Sequence, residues 1–522
     1  MAAKQIIDLK VLIEGGSEND LHLGDYSLCD EIIAEIMREF CLAIADLEGD
    51  IRIGLEISFM EIFHGLNLLI EAYVVTYLAE KTGSQLIYNP VLFSHYYDFE
   101  NDRPARLPNK KRHVPKLGEI RRRAQSSLFM FSRKAAYLQL NKLLMENHNT
   151  RYGHIGHAVR ALHRSLIDNH QNCHGLSQIT GTLRSIVLRT MTKFNMPLSR
   201  NFSSSIDGLI TYYLNIALKG LNLITPSFLK SFRVLYTGTG GRLINRLVSY
   251  YFIREGKRVF RFTHGGDRAF YNDMIFDLID LSFCDEYICH GRGEAREMAD
   301  RFQKKLLPSL QESDVKFSAA GSKYHKTLKE EHEEEHEDKA GILAPGRTVL
   351  ISQGAFNGPF CQYPYIKYND IAYYDWLVYL IKLLKRENYK VILKRHPKGQ
   401  FHTTRMFGTI CDEEVLGGSI SDHFQRVDAI ILDYGCSVLW EAICTMKKVV
   451  FIDMGLRPFN PKPYMQLKEC VSIVQASSHK GRYRLSSEEK FFDALEGKYS
   501  KKKLSDFADE YWIDDDKEKV FE

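Results

Sequence analysis

From residue 232 to residue 452 the chain repeats one local pattern, and that pattern restricts the fold more than any other feature. A short β-branched or aromatic run leads into a glycine-bearing turn, and the turn opens a segment with apolar residues at helical spacing. Phe232-Arg233-Val234-Leu235-Tyr236 reads as a strand, Thr237-Gly238-Thr239-Gly240-Gly241-Arg242 as the turn, Leu243 to Glu255 as a helix and Arg258-Val259-Phe260-Arg261-Phe262 as the next strand. A helix near 272–280, a strand at 285–290, the turn Gly291-Arg292-Gly293-Glu294 and a helix from Glu294 to Lys305 continue the rhythm. It returns in the strands Thr348 to Ser352, Tyr389 to Leu393, Val427 to Leu432 and Lys448 to Ile452, with helices at 371–387 and 438–445. Alternation of this kind predicts parallel sheets with right-handed crossovers, an α/β class. Ligands of such sheets sit outside the carboxyl ends of the strands.

The remainder is less regular. Residues 5–15 read as a strand, 30–47 and 58–81 as helices and 85–93 as a strand. Residues 124–230 read as mainly helical. Lys326 to Ala340 is dominated by Glu, His and Lys, a composition that cannot bury a core. At roughly 100–200 residues per domain, 522 residues make two or three domains. The predicted division is 1–325 with a helical insertion at 124–230, a charged linker at 326–345, a second domain at 346–486 and a helical tail at 487–522.

Composition excludes several classes. A net charge of +4 is too small for nucleic-acid binding across the surface. Ten cysteines without a CxxC pair fit reduced thiols in a cytoplasmic protein. The chain opens without an apolar leader and has no charge-free run of about 18 apolar residues. Work at a membrane would therefore be peripheral, at its inner face. Residues 101–123 carry Arg103, Arg106, Lys110, Lys111, Arg112, Lys116 and Arg121-Arg122-Arg123. They read either as a solvated loop or as a patch for an anionic acceptor or membrane surface. His154 and His157 have metal-compatible spacing, but no zinc motif completes the set. The tract Glu330 to Glu337 offers a second His/Glu alternative. No Asp-x-Asp stands in a strand-end loop, so neither a catalytic metal nor a cofactor is expected.

Four strand ends carry candidate chemistry. Gly238, Gly240 and Gly241 stand where a backbone must approach a ligand or a helix N-terminus. The turn lacks the full GxGxxG fingerprint and no acidic residue ends the following strand, so dinucleotide binding is not expected and glycine packing alone explains it equally. Lys394-Arg395-His396 follows a strand that Pro397 stops. Arg can grip phosphate bidentately and Lys adds a point charge; a merely basic surface loop is the alternative. Gly354 follows the first strand of the second domain. Asp433-Tyr434-Gly435-Cys436-Ser437 opens a helix, where Ser437 can cap it or meet a phosphate at the free N–H groups. Glu441 lies one turn on, to accept from ribose hydroxyls or to face solvent.

Basic-His-Pro after one strand, then Asp-Tyr-small-small-Ser opening a later helix, resembles the C-terminal half of GT-B-fold transferases that build bacterial surface polysaccharides. The pattern is similar to CDP-glycerol glycerophosphotransferases and to capsule transferases using CMP-activated 3-deoxy-octulosonate, over about residues 232–455. The resemblance implies two Rossmann-like domains facing across a cleft and a C-terminus crossing back onto the first. It implies transfer of a sugar or polyol phosphate from a CMP/CDP-type nucleotide donor to a hydroxyl of a glycan or lipid-linked acceptor. It makes His264 the general base, with Asp267 a second candidate, and Arg395, His396 and Ser437 the donor-phosphate ligands, with Asp433 fixing the turn. Gly435-Cys436 departs from the family's usual serine. A UDP-sugar 2-epimerase on the same fold and a non-catalytic glycan-assembly protein are the alternatives, separable by product analysis.

Overall fold

Among the described residues two large sheets, parallel but for one strand, carry most of the fold. The computed structural model describes residues 5–7, 27–81, 84–86, 97–98, 103–104, 135–138, 153–154, 176–222, 232–272, 274–303, 314–334, 347–356, 370–397, 405–479 and 482–514. The basic stretch beyond Pro104, His157 and the Glu/His tract beyond residue 334 lie outside them.

At the N-terminus, β1 (Gln5–Ile7) pairs in parallel with β2 (Ser84–Leu86), with helices α1 (Ser27–Ala45) and α2 (Gly49–Lys81) between them. A short ladder joins β3 (Tyr97–Asp98) to β4 (Arg103–Pro104). The first large sheet holds β5 (Ala135–Leu138), β6 (Gly153–His154), β7 (Val234–Thr237), β8 (Arg258–Phe262), β9 (Glu286–Cys289) and β10 (Lys316–Ala319). Its order is β6-β5-β7-β8-β9-β10, with every neighbouring pair parallel. Around it stand α3 (Ser177–Lys193), α4 (Arg200–Asn222), α5 (Leu243–Arg254), α6 (Met274–Leu281), α7 (Arg292–Gln303) and α8 (Lys323–Glu334).

Two expectations need correcting here. The stretch at 124–230 is not simply a helical insertion, because β5 and β6 are strands of the sheet; runs of four and two residues are too short to leave a periodic signal. Nor does the charged linker begin at 326. Residues through Glu334 form α8, and His325, Leu328, Lys329 and His332 are buried. Their spacing is that of one helix face, but three of the four are polar, which hid the stripe.

The second sheet holds β11 (Thr348–Ser352), β12 (Lys390–Lys394), β13 (Glu413–Val415), β14 (Ala429–Leu432), β15 (Lys448–Asp453), β16 (Ser472–His479) and β17 (Arg482–Leu485). The order is β13-β12-β11-β14-β15-β16-β17, parallel except for β17. Counted from β11 the six parallel strands run 3-2-1-4-5-6, the order of the dinucleotide-binding fold. The chain reverses its direction of travel between β11 and β14, so the connections leaving their carboxyl ends diverge. All four residues of β14 are buried, as expected of a strand covered on both faces. Helices α9 (Asp370–Arg386), α10 (Ser437–Cys444), α11 (Pro461–Cys470), α12 (Glu488–Glu496) and α13 (Lys501–Ala508) complete this half, and a π-turn follows at Asp509–Ile513.

The C-terminal turn crosses back to the first sheet. The Ser322 N–H donates to the Trp512 carbonyl (2.7 Å), and Arg292 and Arg296 form ion pairs with Asp514 and Glu510, both at 2.6 Å. Gly291 and Gly293 let this backbone lie close, because a Cβ at either position would run into Glu510–Trp512. An aromatic cluster seals the junction. Phe270, from the loop after β8, packs on Trp440 of α10 with ring centres 4.4 Å apart, and Trp440 stacks on Trp512 at 5.0 Å. Rings of this size bury roughly 150–250 Å² each, so the contact is a substantial part of what joins the two halves.

Candidate functional site

The mouth between β11 and β14 has a built floor. The Gly354 N–H donates to the Tyr373 hydroxyl, which donates to the Asp433 carboxylate (2.9 Å); the Trp376 indole N–H donates to the same group at 3.0 Å. Both aromatic residues project from α9. Burial pushes the Asp433 carboxyl up to about 6, against the pull of these donors. Gly354 and Asp433 thus tie the two strand ends together. Asp433 is a support beneath the mouth and not a surface ligand.

The basic run after β12 is largely internal, which corrects the expectation for Arg395 and Lys394. Arg395 is 1% exposed and pairs at 2.7 Å with Glu414, itself fully buried in β13. Glu414 also accepts the N–H groups of Met406 (3.0 Å) and Phe407 (2.9 Å), while the guanidinium lies against the rings of Phe356 and Phe407. The pair fixes the loop before β13. Lys394 is also buried, and its ammonium donates to the Arg395 carbonyl at 3.2 Å. Burial lowers its affinity for a proton, opposed by nearby Asp422. Of the three, His396 reaches partway to the surface.

Ser437 is exposed and is the first residue of α10; Cys436 holds the N-cap position with extended backbone and no side-chain cap bond. The Leu439 N–H already donates to the Cys436 carbonyl at 2.9 Å, so the anion-attracting N–H groups at this helix start are those before it, beside the exposed Ser437 hydroxyl. Glu441 is half-buried and accepts from the Tyr324 hydroxyl of α8 (3.1 Å), so its carboxylate faces the first half of the molecule. Burial pushes it up to about 7, with Tyr324 pulling the other way.

The loop after β8 is held on several sides. The Thr263 hydroxyl donates to Glu294 (2.8 Å), whose other oxygen accepts the His290 N–H at 2.8 Å. Gly266 has φ +68°, and a Cβ there would meet the Trp512 indole and the His290 ring. Asp267 forms ion pairs with Arg268 and Arg457, each at 2.9 Å. Burial opposes its ionisation, but the two guanidinium groups prevail and hold it at about 2. An anion so held is a poor proton acceptor at neutral pH, which corrects the reading of Asp267 as a second base. His264 is exposed in this loop, while Thr263 and residues 266–271 are buried.

The glycine-rich turn proves to be packing. A Cβ on Gly240 would overlap the Ile279 carbonyl, and Asp280 accepts the Thr239 hydroxyl at 3.1 Å; Gly241 donates its N–H to that hydroxyl at 3.0 Å, and Gly238 completes the turn. The N-terminus of α5 is already occupied by an anion. Glu61 of α2 accepts the Leu243 N–H and pairs with buried Arg246. A carboxylate from the chain itself therefore stands where a ligand phosphate would otherwise sit.

Tyr271 carries the first half onto the second. Its hydroxyl donates to the Gly435 carbonyl at 3.0 Å, and its ring lies 3.6 Å from the Arg457 guanidinium. A Cβ on Gly435 would overlap that hydroxyl, which accounts for glycine at the first small position of the motif. A crevice lined by Tyr271, Asp433, Gly435, Asp453 and Arg457 runs between the two loops. Sequence reasoning missed Glu61, Glu294, Glu414, Tyr271 and Arg457. Only Arg457 had a usable signal, since Asp453-Met454-Gly455 repeats the strand-to-glycine rhythm just before it.

Among the described residues no helix is long and apolar enough to cross a membrane, and no group of three His, Cys, Asp or Glu side chains is placed to hold a metal ion. No protein-family model matches the chain, and no curated protein is significantly similar to it. Solved structures of a wall teichoic acid polymerase, TagF, show a distant likeness. One has 13% identity over 61% of this chain and 73% of that one, with a TM-score of 0.32. Another, soaked with CDPG, has 11% identity over 77% and 95%, with a TM-score of 0.34. The UDP-N-acetylglucosamine 2-epimerase of Rickettsia bellii has 12% identity over 70% and 88%, with a TM-score of 0.33.

Proposed function

We propose that this chain is a nucleotide-donor-dependent transferase that moves a sugar or polyol phosphate from a CMP- or CDP-type donor to a hydroxyl of a glycan or lipid-linked acceptor. The observation that carries the reading is the reversal of strand order between β11 and β14, with exposed Ser437 and the uncapped α10 N-terminus at the same mouth. In open α/β sheets that is where ligands bind. A donor phosphate seated there is stabilised by the first-turn N–H groups as negative charge develops on the departing nucleotide. His264, on the loop from the other sheet, takes the proton of the acceptor hydroxyl, whose oxygen forms the new bond.

The test is a thermal-shift panel with CMP, CDP, UDP and GDP. A nucleotide that binds only the folded chain raises its stability by about 2.7 kcal/mol at 100 times Kd. Ser437→Asp is the informative variant. An acid in the first turn is compatible with the helix but repels a phosphate, so folding should be retained and the shift lost. An unchanged shift in this variant removes the mouth as the donor site. His264→Ala should leave the nucleotide shift intact while lowering turnover about 10²- to 10⁴-fold.

A further inference from the structure

We infer that Glu294 is a positioning residue for His264, acting through Thr263; the inference rests on His264 being the acceptor-side base. Glu294 is fully buried in the first turn of α7. An acid there needs no special explanation, because a helix N-terminus favours negative charge. Its bonding does, since both carboxylate oxygens reach outward from α7. One accepts the Thr263 hydroxyl and the other the His290 N–H, both at 2.8 Å. These residues follow the ends of β8 and β9, so one carboxylate ties two neighbouring strand ends together.

Thr263 immediately precedes His264, and its own N–H is held by the Ile288 carbonyl at 2.8 Å. Thr263 is therefore fixed by its backbone on one side and by Glu294 on the other. The His290 ring packs where a Cβ on Gly266 would stand, so the same carboxylate also steadies the far side of the loop. Burial pushes the Glu294 carboxyl up to about 7, with the His290 N–H and the Thr263 hydroxyl opposing. Asp267 and Arg268 from the loop act on it from one side, and Tyr287 and Cys289 of β9 feel its charge from the other. A hydroxyl is a suitable link to such a group, because it can donate to a carboxylate or accept from a carboxylic acid.

The experiment uses the full chain with labelled histidines, following the His264 imidazole by NMR as pH is varied, with His264→Ala assigning the signal. Thr263→Val keeps the shape and removes the hydroxyl. It should move the His264 signal and shift its titration by several tenths of a pH unit or more. Glu294→Gln alone should keep wild-type behaviour, because its amide oxygen can accept the His290 N–H while its NH2 donates to the Thr263 oxygen. Thr263→Ser should likewise match wild type. Thr263→Val that melts as wild type does and leaves the His264 signal and titration unchanged overturns the inference. So does Glu294→Gln that perturbs His264 as strongly as Thr263→Val. The base reading fails separately, if His264→Ala retains full release of CMP from a CDP-activated polyol. The NMR readout needs no substrate.

Discussion

At Gly435 a single missing methyl group lets the two halves of the molecule meet. The Tyr271 hydroxyl fills the space a Cβ would need and bonds to the Gly435 carbonyl. Gly435→Ala should therefore destabilise the chain by about 1–3 kcal/mol, the usual cost of overpacking. Adding Tyr271→Phe removes the clashing oxygen, so the double variant should lose less than the sum of the two single losses in urea denaturation. Arg395 poses the opposite problem. Its partner is Glu414, and both are buried. Arg395→Ala leaves a buried carboxylate uncompensated and should cost about 3–5 kcal/mol, read as a lower urea midpoint. Any loss of ligand binding in that variant reports the fold. Nothing in the sequence distinguishes the two roles. A strand-end arginine reads alike whether it faces a phosphate or an acid 19 residues away in the next strand. Ser437 was legible because helix position and exposure follow from local pattern, whereas Glu61 and Glu294 reach their targets only through tertiary packing.

Helix α8 carries the clearest lesson about elements. Its glutamates and histidines look like solvated linker, yet His325 is buried against His290, with ring centres 5.6 Å apart. Burial lowers the His325 pKa to about 3, with His290 adding to the effect, and lowers that of His290 to about 4, aided by His264. Both folded values lie below the usual 6.5, so as pH falls through this range the unfolded chain takes up protons first and stability is lost. Asp433, Glu294 and Glu441 act in the opposite sense. Their folded values of about 6, 7 and 7 exceed the unfolded ones, so the folded chain holds more protons between about pH 4 and 7 and stability falls as pH rises. The two sets offset each other over one window. His325→Gln removes one acid-labile contribution. Its melting temperature, compared with wild type, should improve steadily from pH 7 to pH 4.5. A constant difference would mean that His325 does not remain neutral in the fold.

Across the whole molecule, the α/β class was legible because strand, turn and helix alternate with clear periodicity, and β8 and β11 fall where the residues placed them. The order of strands was not legible. Pairing is decided by which apolar faces meet, and β10, β16 and β17 leave no local mark of their neighbours. The reversal between β11 and β14, on which the functional reading depends, therefore emerged only from the folded chain. The two sheets are also unequal in a way their similar architecture conceals. Glu61 holds the α5 N-terminus of the first, while no side chain caps α10 of the second. Similar as they look, the halves should not act as twin receptors. Titration calorimetry with a nucleotide should saturate at one equivalent per chain, and a stoichiometry of two would mean that Glu61 yields its place. The chain thus carries two large sheets of different strand order, and an acid of its own stands at the α5 helix start of the first but at no such place on α10 of the second.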